Sequence, residues 1–175
     1  MTGILIALMA DIATPMDIGI GGVFYMQTDS PQTKFYGAEA EFLAHLMMDQ
    51  LYLRTGILYF IRDEGGNNTI GLGTGVGGFG GGSVDALYYF TKQKTNKYKM
   101  SPYILGGFYF MKSGDFNYYG IKAGAGLSYP FSKKGPRFFG EAGALIDGFS
   151  APDPVGSDNA ITAFARGGIR FNLVK

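Results

Sequence analysis

The stretch Tyr119-Gly120-Ile121-Lys122-Ala123-Gly124-Ala125-Gly126-Leu127-Ser128-Tyr129-Pro130-Phe131 alternates between two kinds of side chain. The odd-numbered positions carry rings and aliphatic groups, whereas the positions between them carry three Gly, one Lys, one Ser and one Pro. A period of two residues is typical of a β-strand with two different faces. A water-soluble sheet would bury the bulky face, whereas a membrane barrel would turn it toward lipid. The fold therefore depends on which solvent each face meets.

The composition favours a single domain made of strands and tight turns. The chain has 175 residues, with 29 Gly, 12 Tyr and 15 Phe. The longest apolar segment, residues 3–10, is far shorter than the roughly 20 residues of a membrane-spanning helix. A net charge of +1 argues against a general nucleic-acid binder. Because there is no Cys, disulfides and thiolate metal sites are excluded.

The sequence predicts a separate N-terminal segment over the first fifteen residues and a single β-barrel domain over residues 16–175. The run from Ile4 to Ala10 resembles the apolar part of a secretory signal, but no Lys or Arg precedes it. Two interpretations follow. The segment is either the remnant of a signal peptide or a periplasmic extension that packs against the barrel or a neighbouring subunit.

Alternation predicts eight strands along the chain. Their predicted ranges are 16–28, 35–46, 51–62, 83–92, 101–111, 119–131, 137–149 and 161–174. In seven of them the bulky residues share one face and the Gly or charged residues share the other. The fifth strand is apolar on both sides, so its phase stays open.

The connections between these strands alternate in length and character. Short or basic turns, 47–50, 93–100 and 132–136, follow strands two, four and six. Connections rich in Gly, Asn, Asp and Pro, two of them long, follow the odd-numbered strands. An even-stranded barrel with short turns at one rim and longer loops at the other has this arrangement. Aromatic residues near the strand ends indicate aromatic girdles at two membrane interfaces. These residues are Tyr25, Tyr59, Phe60, Tyr88, Tyr89, Tyr118, Tyr119, Tyr129 and Phe131.

Charged residues on the small-residue face decide between the two solvents. Four acids and four bases occupy that face: Glu39, Glu41, Asp85, Glu141, Arg54, Lys122, Arg166 and Arg170. Each unpaired ion inside a small protein costs several kcal/mol. At a lipid-facing position, Arg or Lys would cost roughly 2–4 kcal/mol near the midplane. Inside a membrane barrel, in contrast, these groups can pair with each other. The balance of signs predicts an internal ion-pair network and assigns the bulky face to lipid.

The second half of the chain resembles the small outer-membrane β-barrels of the OmpA and OmpX type. The residues that carry the resemblance are 101–109 (SPYILGGFY), 119–127 (YGIKAGAGL), 138–143 (FFGEAG) and 167–171 (GGIRF). It covers roughly the last 75 residues well and the first hundred by pattern alone. The resemblance implies an eight-stranded up-and-down antiparallel transmembrane barrel. It also implies a structural or surface-interaction role in which the barrel is an anchor.

Signals for catalysis or ligand binding are weak. Residues 73–78 match the dinucleotide pattern G-x-G-x-x-G, but further glycines follow where a helix would have to begin. The single histidine, His45, is predicted to lie at the short-turn rim. Asp147, Asp153 and Asp158 fit no EF-hand spacing, and we predict an exposed acidic loop there. We therefore expect no enzyme, no cofactor, and no catalytic or metal site.

The predicted function is that of a bacterial outer-membrane barrel with periplasmic termini. Its interior, just wide enough for side chains to fill, would be plugged by the ion pairs. Its partners would be outer-membrane lipid and a protein bound through the loops or the N-terminal segment, but not nucleic acid. Three alternatives remain open: a narrow gated channel, an accessory subunit of a larger envelope complex, and a soluble lipocalin-like ligand-binding barrel.

Overall fold

Eight long β-strands close into an antiparallel barrel in a computed structural model of the chain. The structure describes residues 16–28, 33–46, 50–64, 71–72, 81–91, 100–113, 116–131, 135–150 and 157–173. The strands are β1 Met16–Gln27, β2 Thr33–His45, β3 Leu51–Glu64, β4 Gly71–Leu72, β5 Gly81–Tyr89, β6 Ser101–Ser113, β7 Phe116–Pro130, β8 Arg137–Ser150 and β9 Ser157–Asn172. Among the described residues, no helix has the length and apolar character needed to cross a bilayer.

Each long strand pairs with its neighbours in sequence, and the ring closes between the first and the last. β1 pairs with both β2 and β9, and every pairing is antiparallel. The short β4 adds only a two-residue ladder to the edge of β3 that otherwise pairs with β5. Closure leaves no long strand with an unpaired edge, which removes the usual route to edge-to-edge aggregation. The predicted eight-stranded up-and-down barrel is confirmed.

The two rims of the barrel differ in their connections. The turn rim is the end where β1 begins and β9 ends, and the loop rim is the opposite end. At the turn rim, the amide of Phe131 donates to the carbonyl of Pro136 at 2.9 Å and so closes the turn from β7 to β8. Residues 1–15, most of the predicted loops, and the glycine pattern at 73–78 lie outside the described residues.

Strand limits differ from the sequence prediction mainly at the loop rim. At the turn rim, β5 ends at Tyr89 rather than at residue 92. At the loop rim, β2 begins at Thr33 and β9 at Ser157, both earlier than predicted. The ladders extend into polar residues there because backbone pairing does not require apolar side chains.

The side chains of the barrel follow the alternation of the sequence, with bulk outside. Ile20 is 63% exposed and Ile146 is 70% exposed, whereas Arg54 and Lys122 are buried inside. β6, whose phase the sequence left open, turns Tyr103, Leu105, Tyr109 and Met111 inward and Ile104, Phe108 and Phe110 outward. A barrel with its apolar face inward, as in the lipocalin-like alternative, is therefore not what forms.

Three rings of the predicted girdles lie on the wrong face. Tyr25, Tyr89 and Tyr118 point into the barrel and are almost fully buried. Tyr89 and Tyr118 are immediate neighbours in sequence of the outward Tyr88 and Tyr119, so strand alternation turns their rings inward. The same alternation turns Tyr25 inward. The side chain of Phe60 lies outside the described residues. Tyr59, Tyr88, Tyr119, Tyr129 and Phe131 do face outward.

Candidate functional site

The barrel interior brings together all eight charged residues that the sequence placed on the small-residue face. We call this group the central ion network: Glu39 and Glu41 on β2, Arg54 on β3, Asp85 on β5, Lys122 on β7, Glu141 on β8, and Arg166 and Arg170 on β9. None of the eight is more than 6% exposed. The network thus draws on six of the eight long strands and links opposite walls of the barrel.

Arg54 is held between carboxylates from three other strands. Its Nε donates a hydrogen bond to Oδ2 of Asp85 at 2.8 Å, and its Nη1 donates to Oε1 of Glu141 at 2.6 Å. The Oε2 atom of Glu41 lies 3.5 Å from the same Nη1. Because Asp85 sits beside Arg54 in the ladder while Glu141 lies across the lumen, this guanidinium cross-links two walls.

The two arginines of β9 share the same pair of glutamates. Arg170 donates from Nε to Oε1 of Glu41 at 2.5 Å and from Nη2 to Oε1 of Glu141 at 3.0 Å. Arg166 donates from Nη2 to Oε2 of Glu41 at 2.6 Å. Its Nη1 lies 3.0 Å from Oε2 of Glu39. Glu41 and Glu141 therefore each contact all three arginines of the network.

Lys122 occupies the edge of the network nearest the loop rim. Its Nζ lies 2.8 Å from Oδ2 of Asp85, the oxygen that Arg54 also contacts. Ser83 donates a hydrogen bond to Oε1 of Glu39 at 3.3 Å. With four acids and four bases, the network is formally neutral, and close pairing offsets the cost of burying each ion.

Aromatic side chains complete the surroundings of the network, and the sequence analysis did not assign them there. The Tyr103 hydroxyl donates to Oε1 of Glu141 at 2.5 Å. Arg170 donates from Nη1 to the Tyr89 hydroxyl at 3.0 Å, and its guanidinium carbon lies 4.0 Å from the ring centre of Phe139. A cation over an aromatic face gains electrostatic attraction, more so when it is desolvated. The strand alternation gives Tyr89 and Phe139 the inward phase, and this sequence signal predicts that both side chains lie in the interior.

Inward-facing glycines allow the polar side chains to reach each other across an intervening strand. In three places the register aligns an acid, a Gly and its partner on three adjacent strands. These sets are Asp85–Gly107–Lys122, Glu41–Gly19–Arg170 and Glu141–Gly126–Tyr103. A Cβ added at any of these glycines would collide with the acid itself. The glycines therefore provide the space that the long side chains occupy.

A second polar cluster lies inside the barrel toward the loop rim, and it corrects a sequence prediction. Asp147 does not lie in an exposed acidic loop: it belongs to β8 and is only 2% exposed. Thr162 donates to its Oδ2 at 3.0 Å. The side chains of Gln27 and Tyr109 lie close to the same carboxyl group. We call these four residues the Asp147 cluster. The side chains of residues 153 and 158 lie outside the description.

A third group of polar side chains lies inside the turn rim. His45 is the last residue of β2 and is 4% exposed, with its ring 4.5 Å from that of Tyr52. Asp17, at the start of β1, is 7% exposed. In the described part of the chain, no group of three or more His, Cys, Asp or Glu side chains converges in a way that could hold a metal ion.

The outward face of the barrel is apolar and almost free of charge. The described outward side chains of the long strands include only two ionisable groups of the Asp, Glu, Lys or Arg type, Lys34 and Lys112, both at the loop rim. Between the rims this face carries many exposed aliphatic and aromatic side chains, among them Ile20, Phe108 and Ile146.

Comparison with solved structures gives several matching chains, all similar in fold. The fold is similar to the crystal structure of the N-terminal β-barrel domain of Pseudomonas aeruginosa OprF, with a TM-score of 0.48 and 17% sequence identity. The alignment covers 89% of this chain and 97% of that domain. A scan of protein-family models finds no match, and a search among curated proteins finds none either.

Proposed function

We propose that the protein is a bacterial outer-membrane β-barrel that anchors itself in lipid, with its interior plugged by the central ion network. One observation carries the proposal: the described outer face, apolar and uncharged between the rims, surrounds an interior that contains paired ions. In water such an exposed apolar belt would be unfavourable, since soluble monomers rarely expose apolar patches beyond a few hundred Å². In a bilayer the same belt is solvated by acyl chains.

The position of the exposed rings supports this orientation. Tyr129, Phe131, Phe138 and Phe171 face outward near the turn rim, and Tyr36, Tyr59 and Tyr119 face outward nearer the loop rim. Outer-membrane barrels carry such aromatic girdles at both interfaces. With short turns at the rim where β1 begins, the proposal places both ends of the barrel in the periplasm and the longer loops outside.

The proposed role is structural or surface-binding rather than catalytic. The charged side chains of the central ion network pair with each other, which leaves none of them as an activated nucleophile or base aimed at a substrate. The proposed partners are outer-membrane lipid around the belt and a protein bound through the loops or the N-terminal segment; nucleic acid is not among them.

A single substitution tests the solvent of the outer face. Ile121, near the middle of β7, is 59% exposed. If this face meets lipid, Ile121→Arg should cost roughly 2–4 kcal/mol of unfolding free energy in vesicles. Asn117→Arg, at the loop-rim end of the same face, should cost about 0–1 kcal/mol. Equal, negligible costs, together with a wild-type chain that stays soluble without detergent, would refute the membrane location.

A narrow gated channel is the second candidate, and a specific feature of the network favours it. Because Glu41 and Glu141 each contact three arginines, pairs can exchange without leaving any ion alone. Planar-bilayer recordings of the wild type and Lys122→Ala test this directly. If neither protein conducts, the plugged anchor remains the proposed function. Discrete conductance steps that change with the substitution would instead establish the channel.

A further inference from the structure

Asp147 is a buried acid for which the described residues provide no base. It lies inside the barrel on β8, and no Lys, Arg or His of the described chain forms an ion pair with it. Its Oδ2 accepts the hydroxyl of Thr162, whereas its Oδ1 has no hydrogen-bond partner. Every acid of the central ion network, in contrast, contacts at least one base.

The side chains around this carboxylate offer oxygen atoms. Tyr109 on β6 reaches toward Asp147 across Gly120, which pairs with both residues in the ladder. Its hydroxyl lies near the carboxylate without forming a hydrogen bond of good geometry. Gln27 and Thr162, which face each other on β1 and β9, complete the group. Two buried oxygens, Oδ1 of Asp147 and the hydroxyl of Tyr109, are thus left unpartnered.

An unpaired carboxylate inside a protein is costly, and a bound cation removes that cost. Carboxylate, hydroxyl and amide oxygens are ligands of hard cations. Calcium sites usually take six to eight oxygens, often from several carboxylates, whereas this cluster supplies a single negative charge. A monovalent ion balances that charge. We propose that Asp147, Tyr109, Thr162 and Gln27 bind an alkali-metal cation inside the barrel near the loop rim.

This proposal does not depend on the membrane location, because it concerns the interior alone. The test uses the full chain, kept in the medium that solubilises it. Thermal unfolding would be followed by circular dichroism while N-methyl-D-glucamine chloride is replaced by sodium or potassium chloride at constant ionic strength. An alkali-metal site predicts that the wild-type midpoint rises by about 3–5 °C and then saturates.

Substitutions assign the effect to the cluster. Asp147→Asn should abolish the cation-dependent rise, because the amide carries no charge to balance. Tyr109→Phe and Thr162→Val each remove one oxygen with little change in shape, and each should require an about tenfold higher salt concentration for the same rise. Tyr103→Phe, a matched change at the central ion network, should leave the rise unchanged.

Three results would overturn the proposal. The first is a wild-type midpoint that does not distinguish sodium or potassium from N-methyl-D-glucamine. The second is a rise that appears with calcium chloride alone at matched ionic strength, which would exclude the monovalent class. The third is an equal response in Tyr103→Phe and Tyr109→Phe. This last comparison still decides the question if Asp147→Asn fails to fold.

Discussion

The central ion network and the Asp147 cluster are built on the same geometric plan but carry different chemistry. In both, a tyrosine of β6 extends over a glycine of β7 toward an acid of β8: Tyr103 over Gly126 toward Glu141, and Tyr109 over Gly120 toward Asp147. Glu141, however, contacts three arginines, whereas Asp147 has no described base. The shared plan follows from the register of β6, β7 and β8. The two groups differ because β3 and β9 contribute arginines that contact Glu141, whereas no described arginine contacts Asp147.

Glycine spacing makes room for an acid in both regions but does not supply a base to pair with it. Arg54, Arg166 and Arg170 are what make the centre of the barrel a closed electrostatic unit. In a low-dielectric interior, a carboxylate with paired bases is stabilised, and one without them is a site where a counter-ion or a proton must be supplied. The two regions should therefore respond differently to the same kind of substitution.

The largest expected difference is between Glu141→Gln and Asp147→Asn. Removing the Glu141 charge leaves Arg54, Arg166 and Arg170 with too few acids, so the free energy of unfolding should fall by about 3–5 kcal/mol. Asp147→Asn removes a charge that has no described base, and its cost in buffer free of sodium and potassium should stay below about 1 kcal/mol. Urea unfolding followed by circular dichroism measures both. Equal, negligible losses would mean that side-chain volume, which both substitutions preserve, stabilises the interior rather than ion pairing.

A smaller difference is expected between two adjacent glycines of β6 that face opposite sides of the wall. A Cβ on inward Gly107 would collide with the Val84 carbonyl and with Asp85, whereas one on outward Gly106 meets only a backbone oxygen at 3.8 Å. Gly107→Ala should destabilise the barrel by about 1–3 kcal/mol through overpacking. Gly106→Ala should change stability by less than about 1 kcal/mol. The same urea assay checks the pair, and a tolerated Gly107→Ala would show that the Lys122–Asp85 contact does not need this space.

The sequence predicted the barrel and the inward position of its eight paired ions because strand alternation is a local property. Once Tyr119–Phe131 sets which parity faces out, Lys122 has to face in, and the same argument applies to each long strand. It would also have placed Asp147 inside, since that residue shares the parity of Glu141. The prediction of an exposed loop is wrong because it groups Asp147 with the acids that follow it rather than with its own strand.

Other features of the interior could not be obtained from alternation. β6 is apolar on both faces because a barrel of eight strands fills its own lumen with side chains, including Leu105 and Met111. The contacts of Arg54 with Glu141, and of Arg170 with Tyr89, cross the lumen or several strands. Such contacts depend on strand register and tilt, which the local pattern of a single strand does not contain.

A difference of similar size is expected between the two tyrosines of β6, and it isolates the hydrogen bond itself. Tyr103→Phe removes a hydroxyl that donates to Glu141 at 2.5 Å, and a hydrogen bond to a charged group contributes about 1.5–3 kcal/mol. Tyr109→Phe removes a hydroxyl without a hydrogen-bond partner, so in buffer free of sodium and potassium it should cost less than about 0.5 kcal/mol. Both rings are buried and keep their packing, which makes each variant the control of the other. If the two costs were equal, the paired and unpaired acids of this barrel would not differ energetically, because each tyrosine would then stabilise its carboxylate to the same extent.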